Sequence, residues 1–252
     1  VASDGSEDFT LIQDAINAAG NEDTVLVFPG TYVENIDFNG KNIVVQSTEG
    51  ADATTIDGDE SGSVVTFTNW VPATAILSGF TLTNGNSATG GGINCVNSSP
   101  ILRDLIITEN VADINGGGLY IENSTSKLLS LTINKNSSDN GCGLYLKNAN
   151  IFMERSVISG NKSNISAGSG GGIYVKDSNP ILINVTITGN MSLYGSGIYT
   201  NASAGPTLNL LLNNSILWAN GFYTNSDGST GVWPQIEVDN FDGQFHLDLR
   251  YS

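Results

Sequence analysis

A glycine-rich hexad recurs along this chain, and it limits the possible folds more than any other feature. Gly170-Gly171-Gly172-Ile173-Tyr174-Val175 is one of five versions. The others are Gly90-Gly91-Gly92-Ile93-Asn94-Cys95, Gly116-Gly117-Gly118-Leu119-Tyr120-Ile121, Gly141-Cys142-Gly143-Leu144-Tyr145-Leu146 and Gly195-Ser196-Gly197-Ile198-Tyr199-Thr200. They are spaced by roughly 25 residues, with one longer step before Ile173, and such a period means stacked supersecondary units. Each hexad opens an anchor strand. A second strand follows, as at Pro100-Ile101-Leu102 and Pro180-Ile181-Leu182, where proline at a strand start loses little. A third strand ends in asparagine at Asn110, Asn136, Asn161, Asn190 and Asn220. Three short strands per coil, stacked at about 4.8 Å, make an all-β fold: a single-stranded, right-handed parallel β-helix. Roughly eight or nine coils are expected from the repeat and chain lengths.

Ahead of the repeats, residues 9–20 carry Phe9, Ile12, Ile16 and Ala19 on one face at helical spacing. Thr10 and Gln13 form a capping-box pattern, and Gly20 is a stop. This helix is expected to cap the open end of the solenoid. Short apolar runs then alternate with turns: 24–28, 36–38, 43–45, 64–67 and 80–82. The chain reads as one β-helix domain over 1–252. Its parts are a cap (1–24), irregular first coils (25–79), regular coils (80–220) and a last coil with a long loop (221–252). Residues 245–251 alternate as a strand that nothing later covers. Such an edge invites further coils, end-to-end self-association or a partner; truncation of a longer chain is the plainer explanation and is preferred.

Alternation assigns the columns. Ile93, Leu119, Leu144, Ile173 and Ile198 point inward, as do Cys95, Ile121, Leu146, Val175 and Thr200. Cys142 aligns with a glycine, two coils from Cys95, so two free thiols are expected. The asparagine column reads as structural, its amides bonding along the stack and to turn backbone. The anchor glycines read as corners.

The outward column Tyr120, Tyr145, Tyr174 and Tyr199 admits two readings. One is a structural ladder and the other is a platform for sugar rings; stacking between coils favours the ladder. Two positions on run Val96, Glu122, Lys147, Lys176 and Asn201. Lys147 can pair with Glu122, whereas Lys176 is available to an anion. Two long loops, Lys162–Ser169 and Gly221–Pro234, precede anchor strands on the same side, the second carrying Phe222, Tyr223 and Trp233. They are expected to wall a groove. Tyr145, Tyr174, Tyr199, Lys147, Lys176, Tyr223 and Trp233 are therefore the candidate ligand-binding residues. The turn at Asp57, Asp59 and Glu60 is a candidate for Ca²⁺ through clustered oxygens, although it lacks a full ligand spacing; no other cofactor is indicated. No catalytic set is legible. His246 is the only histidine and has no nucleophile partner. Arg103 with Asp104 and Arg155 with Glu154 lie two coils apart. A regular Thr-x-Thr array is absent.

Net charge supports this reading. At −16, with a pI near 4.1, the chain is poorly suited to nucleic acid. No apolar run has the length of a membrane span. The chain opens directly on structured-looking sequence, as a mature or trimmed form would. Sequons at Asn97, Asn123, Asn136, Asn161, Asn164, Asn184, Asn190, Asn201 and Asn213 are frequent, as chance predicts in so Asn/Ser/Thr-rich a chain.

Residues 2–58 resemble the entry segment of the pectin lyase-like superfamily, closest to pectin methylesterases. The resemblance rests on Ala2-Ser-Asp-Gly-Ser-Glu-Asp-Phe-Thr10, Ile12-Gln-Asp-Ala-Ile16, Pro29-Gly-Thr-Tyr-Val-Glu-Asn35 and Thr55-Ile-Asp-Gly58. It implies a right-handed parallel β-helix. The later motifs that carry that family's two Asp, Arg and Gln residues have no match here, so no catalytic residue is carried over. Residues 79–252 resemble the Gly-Gly-Gly-Ile-Tyr repeats of secreted bacterial β-helix and adhesin-like surface proteins, as do Asn214–Trp218 and Pro234–Ile236. These resemblances imply a secreted or cell-surface module for adhesion or glycan binding, without catalysis. The alternatives are a polysaccharide lyase or carbohydrate esterase, and a structural unit of a surface protein or fibre.

Overall fold

A computed structural model describes residues 1–203, 208–224, 230–232, 235–239 and 245–250. Successive coils pair in parallel and in register, so the expected right-handed β-helix is the fold. Eight anchor strands, from Ile36–Asp37 to Ile236–Asp239, form one sheet, and seven turns carry the chain from the first to the last. The second and third strands form a 15-stranded sheet. Its two arms join where Phe152–Ser159 and Ile181–Thr188 run through both positions. A four-stranded sheet, Asn86–Thr89 to Lys162–Ser163, closes the coil. Among the described strands, Phe222–Thr224 and Thr230–Val232 pair antiparallel as a hairpin inside the second long loop.

Hydrophobic columns fill the interior as alternation predicts. Ile93, Leu119, Leu144, Ile173 and Ile198 stack in register and are fully buried. Each such side chain contributes about 1.5–3 kcal/mol by leaving water. Cys95 and Cys142 are buried free thiols, and Cys142 donates to the Ser138 carbonyl at 3.4 Å.

Sharp corners need backbone that most residues avoid. The first glycine of each hexad is left-handed, with φ between 52° and 70° at Gly90, Gly116, Gly141, Gly170 and Gly195. The third has a different task. A Cβ on Gly118 would lie 2.5 Å from the Gly143 carbonyl and 3.0 Å from both Asn136 Nδ2 and Ile133 Cγ2. Its missing side chain is the space that the asparagine column fills. Asn110, Asn136, Asn161, Asn190 and Asn220 are buried and bonded end to end. Each of the first four donates from its backbone N–H and its Nδ2 to the Oδ1 of the next, at 2.9–3.1 Å. Gln235 Oε1 ends the ladder by accepting both donors of Asn220. The sequons at Asn136, Asn161 and Asn190 are thereby closed to glycosylation.

The helix is shorter than expected, Ile12–Ala18, and is capped differently. The Thr10/Gln13 capping box does not form. The Glu34 carboxylate instead accepts the N–H groups of Ile12 and Gln13 at 2.8 and 2.9 Å, while Gln13 bonds the Asp37 backbone. At the other end Lys41 Nζ donates to the carbonyls of Ile16, Asn17 and Ala19, where Gly20 was expected to act. Both charges complement the helix dipole. Ile12 and Ile16 close the solenoid floor.

Candidate functional site

The outer face of the anchor sheet holds most of the candidate residues. Its first column runs in register from Asp37 through Thr66, Asn94, Tyr120, Tyr145, Tyr174 and Tyr199 to Glu237. The tyrosines form the ladder. Tyr120 and Tyr145 stack at 5.4 Å and 16°, Tyr145 and Tyr174 at 4.6 Å and 19°, and Tyr174 and Tyr199 at 4.9 Å and 43°. Such contacts are worth about 0.5–1.5 kcal/mol each beyond area burial. The column is not exposed as alternation alone suggested. Tyr120, Tyr145 and Tyr199 are buried and Tyr174 is half-buried. In-register rings cover one another, so edges rather than faces meet solvent. Asn94 ends the ladder with a buried Oδ1 that has no partner among the described residues.

The second column orders the charges. Tyr120 Oη donates to Glu122 Oε2 at 2.6 Å, and Lys147 Nζ pairs with Glu122 Oε1 at 2.7 Å, as expected. Burial raises the Glu122 pKa, but Lys147 and Tyr120, with Lys176 further off, outweigh it and hold the carboxyl below its usual range. Burial also raises the Tyr120 and Tyr145 hydroxyls, reinforced by the Glu122 bond at Tyr120 and by the neighbouring Tyr174 at Tyr145. Lys176 lies one rung beyond Lys147 and has no ion-pair partner among the described residues. The face thus holds one neutralised lysine and one available ammonium.

The first long loop lines a pocket of its own. Residues 162–166 and 191–193 line a surface cavity of about 340 Å³, with Lys162, Ile165 and Met191 on its walls. No tyrosine of the ladder borders this cavity. Tyr223 lies in the hairpin, opposite Gly231. Trp233 lies outside the described residues, as does Pro234.

The acidic turn is tied internally. Asp57 accepts from the Asp59 N–H and from Asn84 Nδ2, both at 3.0 Å. Among the described residues no three His, Cys, Asp or Glu side chains converge as a metal site. The arginine clusters are separated as expected, with Leu129 registered between Arg103 and Glu154. His246 is opposite Asn209 in the last strand pair.

Column assignment overlooked an aromatic on another wall. Trp218, at the end of a third strand, is 71% exposed, and Ile216 beside it is 58% exposed. Alternation in Ile216–Trp218 would have placed both side chains outward.

Together these features define a right-handed parallel β-helix. Two solved structures share the fold. One is a pectin methylesterase in complex with a hexasaccharide: TM-score 0.56, 10% identity, covering 98% of this chain and 90% of that one. The other is pectin methylesterase PemA of Erwinia chrysanthemi: TM-score 0.50, 10% identity, covering 100% and 91%. At such identity the likeness is one of fold. The family model of the Chlamydia polymorphic membrane protein repeat matches residues 155–176. No characterised protein sequence matches the chain significantly.

Proposed function

We propose that this chain is a secreted or cell-surface β-helix module that binds glycans and serves adhesion without catalysis. The observation that carries the reading is the anchor face. A rigid, in-register scaffold presents the Lys176 ammonium beside the neutralised Lys147–Glu122 pair and the tyrosine edges. A lysine so placed suits the carboxylate or sulfate of an acidic sugar, with hydroxyl and amide groups around it for the ring. The β-helix shared with a saccharide-bound esterase and the match of residues 155–176 to a polymorphic membrane protein repeat support the same class of role.

The absence of catalysis is argued from the carboxylates of this face. Glu122 is neutralised by Lys147, and Glu237 accepts the Gly195 N–H at 2.8 Å. Asp37 is three rungs below Glu122. Among the described side chains of this face, no acid–base pair flanks a common point. Calorimetry against acidic and neutral polysaccharides, with assays for ester hydrolysis and for unsaturated sugar ends, tests the proposal. Binding without turnover is expected, with Lys176→Ala weakening acidic ligands by about tenfold. Turnover of any polysaccharide would show an enzyme. Failure to bind any glycan would leave a structural role.

A further inference from the structure

We propose that the outer face of the third strands, ending at Trp218, is a binding surface for an extended, uncharged glycan. The inference rests on the glycan-binding reading above but uses a different wall of the solenoid. Two columns run there in register. One is Ile106, Thr132, Val157, Thr186 and Ile216; the other is Thr108, Asn134, Ser159, Thr188 and Trp218. Every rung offers one β-branched side chain and, two residues on, a hydroxyl, an amide or an indole. Five parallel rungs at about 4.8 Å span roughly 19 Å, the reach of several sugar units.

None of these ten positions is charged, in a chain of net charge −16. An acidic or basic ligand finds no counter-charge within these columns, and the flanking Lys135 and Glu109 already pair with each other. A purely apolar partner would bury a row of hydroxyls without replacing their water. A neutral sugar chain has apolar C–H faces and hydroxyl edges side by side, and the paired columns match both. The polar row is available to bond. Thr108 donates to Asn134 Oδ1, which leaves the Asn134 amino group free, and the Ser159 and Thr188 hydroxyls have no partner among the described residues.

Trp218 also escapes the objection that applies to the tyrosines. Tyr145 lies between two aromatic rings, at 5.4 and 4.6 Å. The registered neighbour of Trp218 is Thr188, and the indole is 71% exposed.

The test is affinity electrophoresis of the intact chain through gels containing hydroxyethylcellulose, arabinoxylan, β-mannan or polygalacturonate. Fluorescence of the three tryptophans is followed in parallel. At least one neutral polymer is expected to retard the protein and shift its fluorescence. Trp218→Ala should weaken that binding by about tenfold and Thr188→Val by a few-fold, while Lys127→Ala, on the second-strand wall, leaves it unchanged. All three positions are on the surface, so unchanged circular dichroism is expected to confirm folding. Neutral-glycan binding that survives both Trp218→Ala and Thr188→Val overturns this inference. So does binding confined to polygalacturonate and dependent on Lys176, which leaves the broader reading standing. No retardation by any polymer overturns both.

Discussion

Asn161→Ala removes the middle of the asparagine ladder, and its cost can be worked out bond by bond. Asn161 Oδ1 accepts from the backbone N–H and the Nδ2 of Asn136, both at 3.0 Å. Its Nδ2 donates to the Ile133 carbonyl at 3.0 Å and to Asn190 Oδ1 at 2.9 Å. Two of the abandoned partners keep a bond: Asn136 Nδ2 to the Ile107 carbonyl, and Asn190 Oδ1 from the Asn161 N–H. The Asn136 N–H keeps none, and it lies in a fully packed layer. Three lost bonds at about 1 kcal/mol each and an orphaned buried donor at about 1–3 kcal/mol sum to about 4–6 kcal/mol. That is a large share of the roughly 5–15 kcal/mol typical of a domain. Urea unfolding followed by circular dichroism should show a lower midpoint. A solenoid can unfold in sections, so hydrogen exchange at the Asn136 amide supplies the local reading. Asn134→Ala, two residues before the ladder's Asn136 but facing outward, should cost under about 0.5 kcal/mol. A loss below about 1 kcal/mol in Asn161→Ala, with the Asn136 amide still protected, would refute this account of the column.

Three further outcomes follow from the same geometry. Gly118→Ala should cost at least about 3 kcal/mol in urea unfolding, because its Cβ meets the Gly143 backbone. Gly160→Ala, with open space around it, should cost only about 1–2 kcal/mol for its left-handed φ. Burial pushes the Cys95 and Cys142 thiols up to about 12 and about 11, so neither should react with a thiol reagent at neutral pH until the chain is unfolded. The raised hydroxyls of Tyr120 and Tyr145 favour the neutral form in the folded state. Their stabilisation is full below the unfolded tyrosine value near 10 and is lost as pH rises toward the folded one. Tyrosinate absorbance should therefore appear in two stages, the ladder's share arriving with alkaline unfolding; a single ordinary transition would contradict this.

The repeat made the coils, columns and free thiols legible because a solenoid is specified by neighbours one period apart. The helix caps were not legible in that way. Glu34 lies 22 residues from Ile12, and Lys41 lies 25 from Ile16, so no local capping pattern contains them. Each becomes a cap only when the first coil brings it beneath the helix. The Pro29–Asn35 segment, met first as part of a resemblance, thus has a physical task through Glu34. The placement of the 162–169 loop was equally hidden, since strand alternation does not extend through an irregular segment.

Exposure posed a different problem. Alternation gives the direction of a side chain, but the size and identity of its registered neighbours decide what solvent can reach. A column of identical aromatics stacks on itself and closes, as at Tyr145. A mixed column with one large ring beside small hydroxyls stays open, as at Trp218. The same rule separates the two lysines: Lys147 stands beside an acid and is neutralised, while Lys176, one rung on, is not. In this fold, uniform columns bind the coils to one another, and breaks in uniformity are where side chains remain free to bind something else.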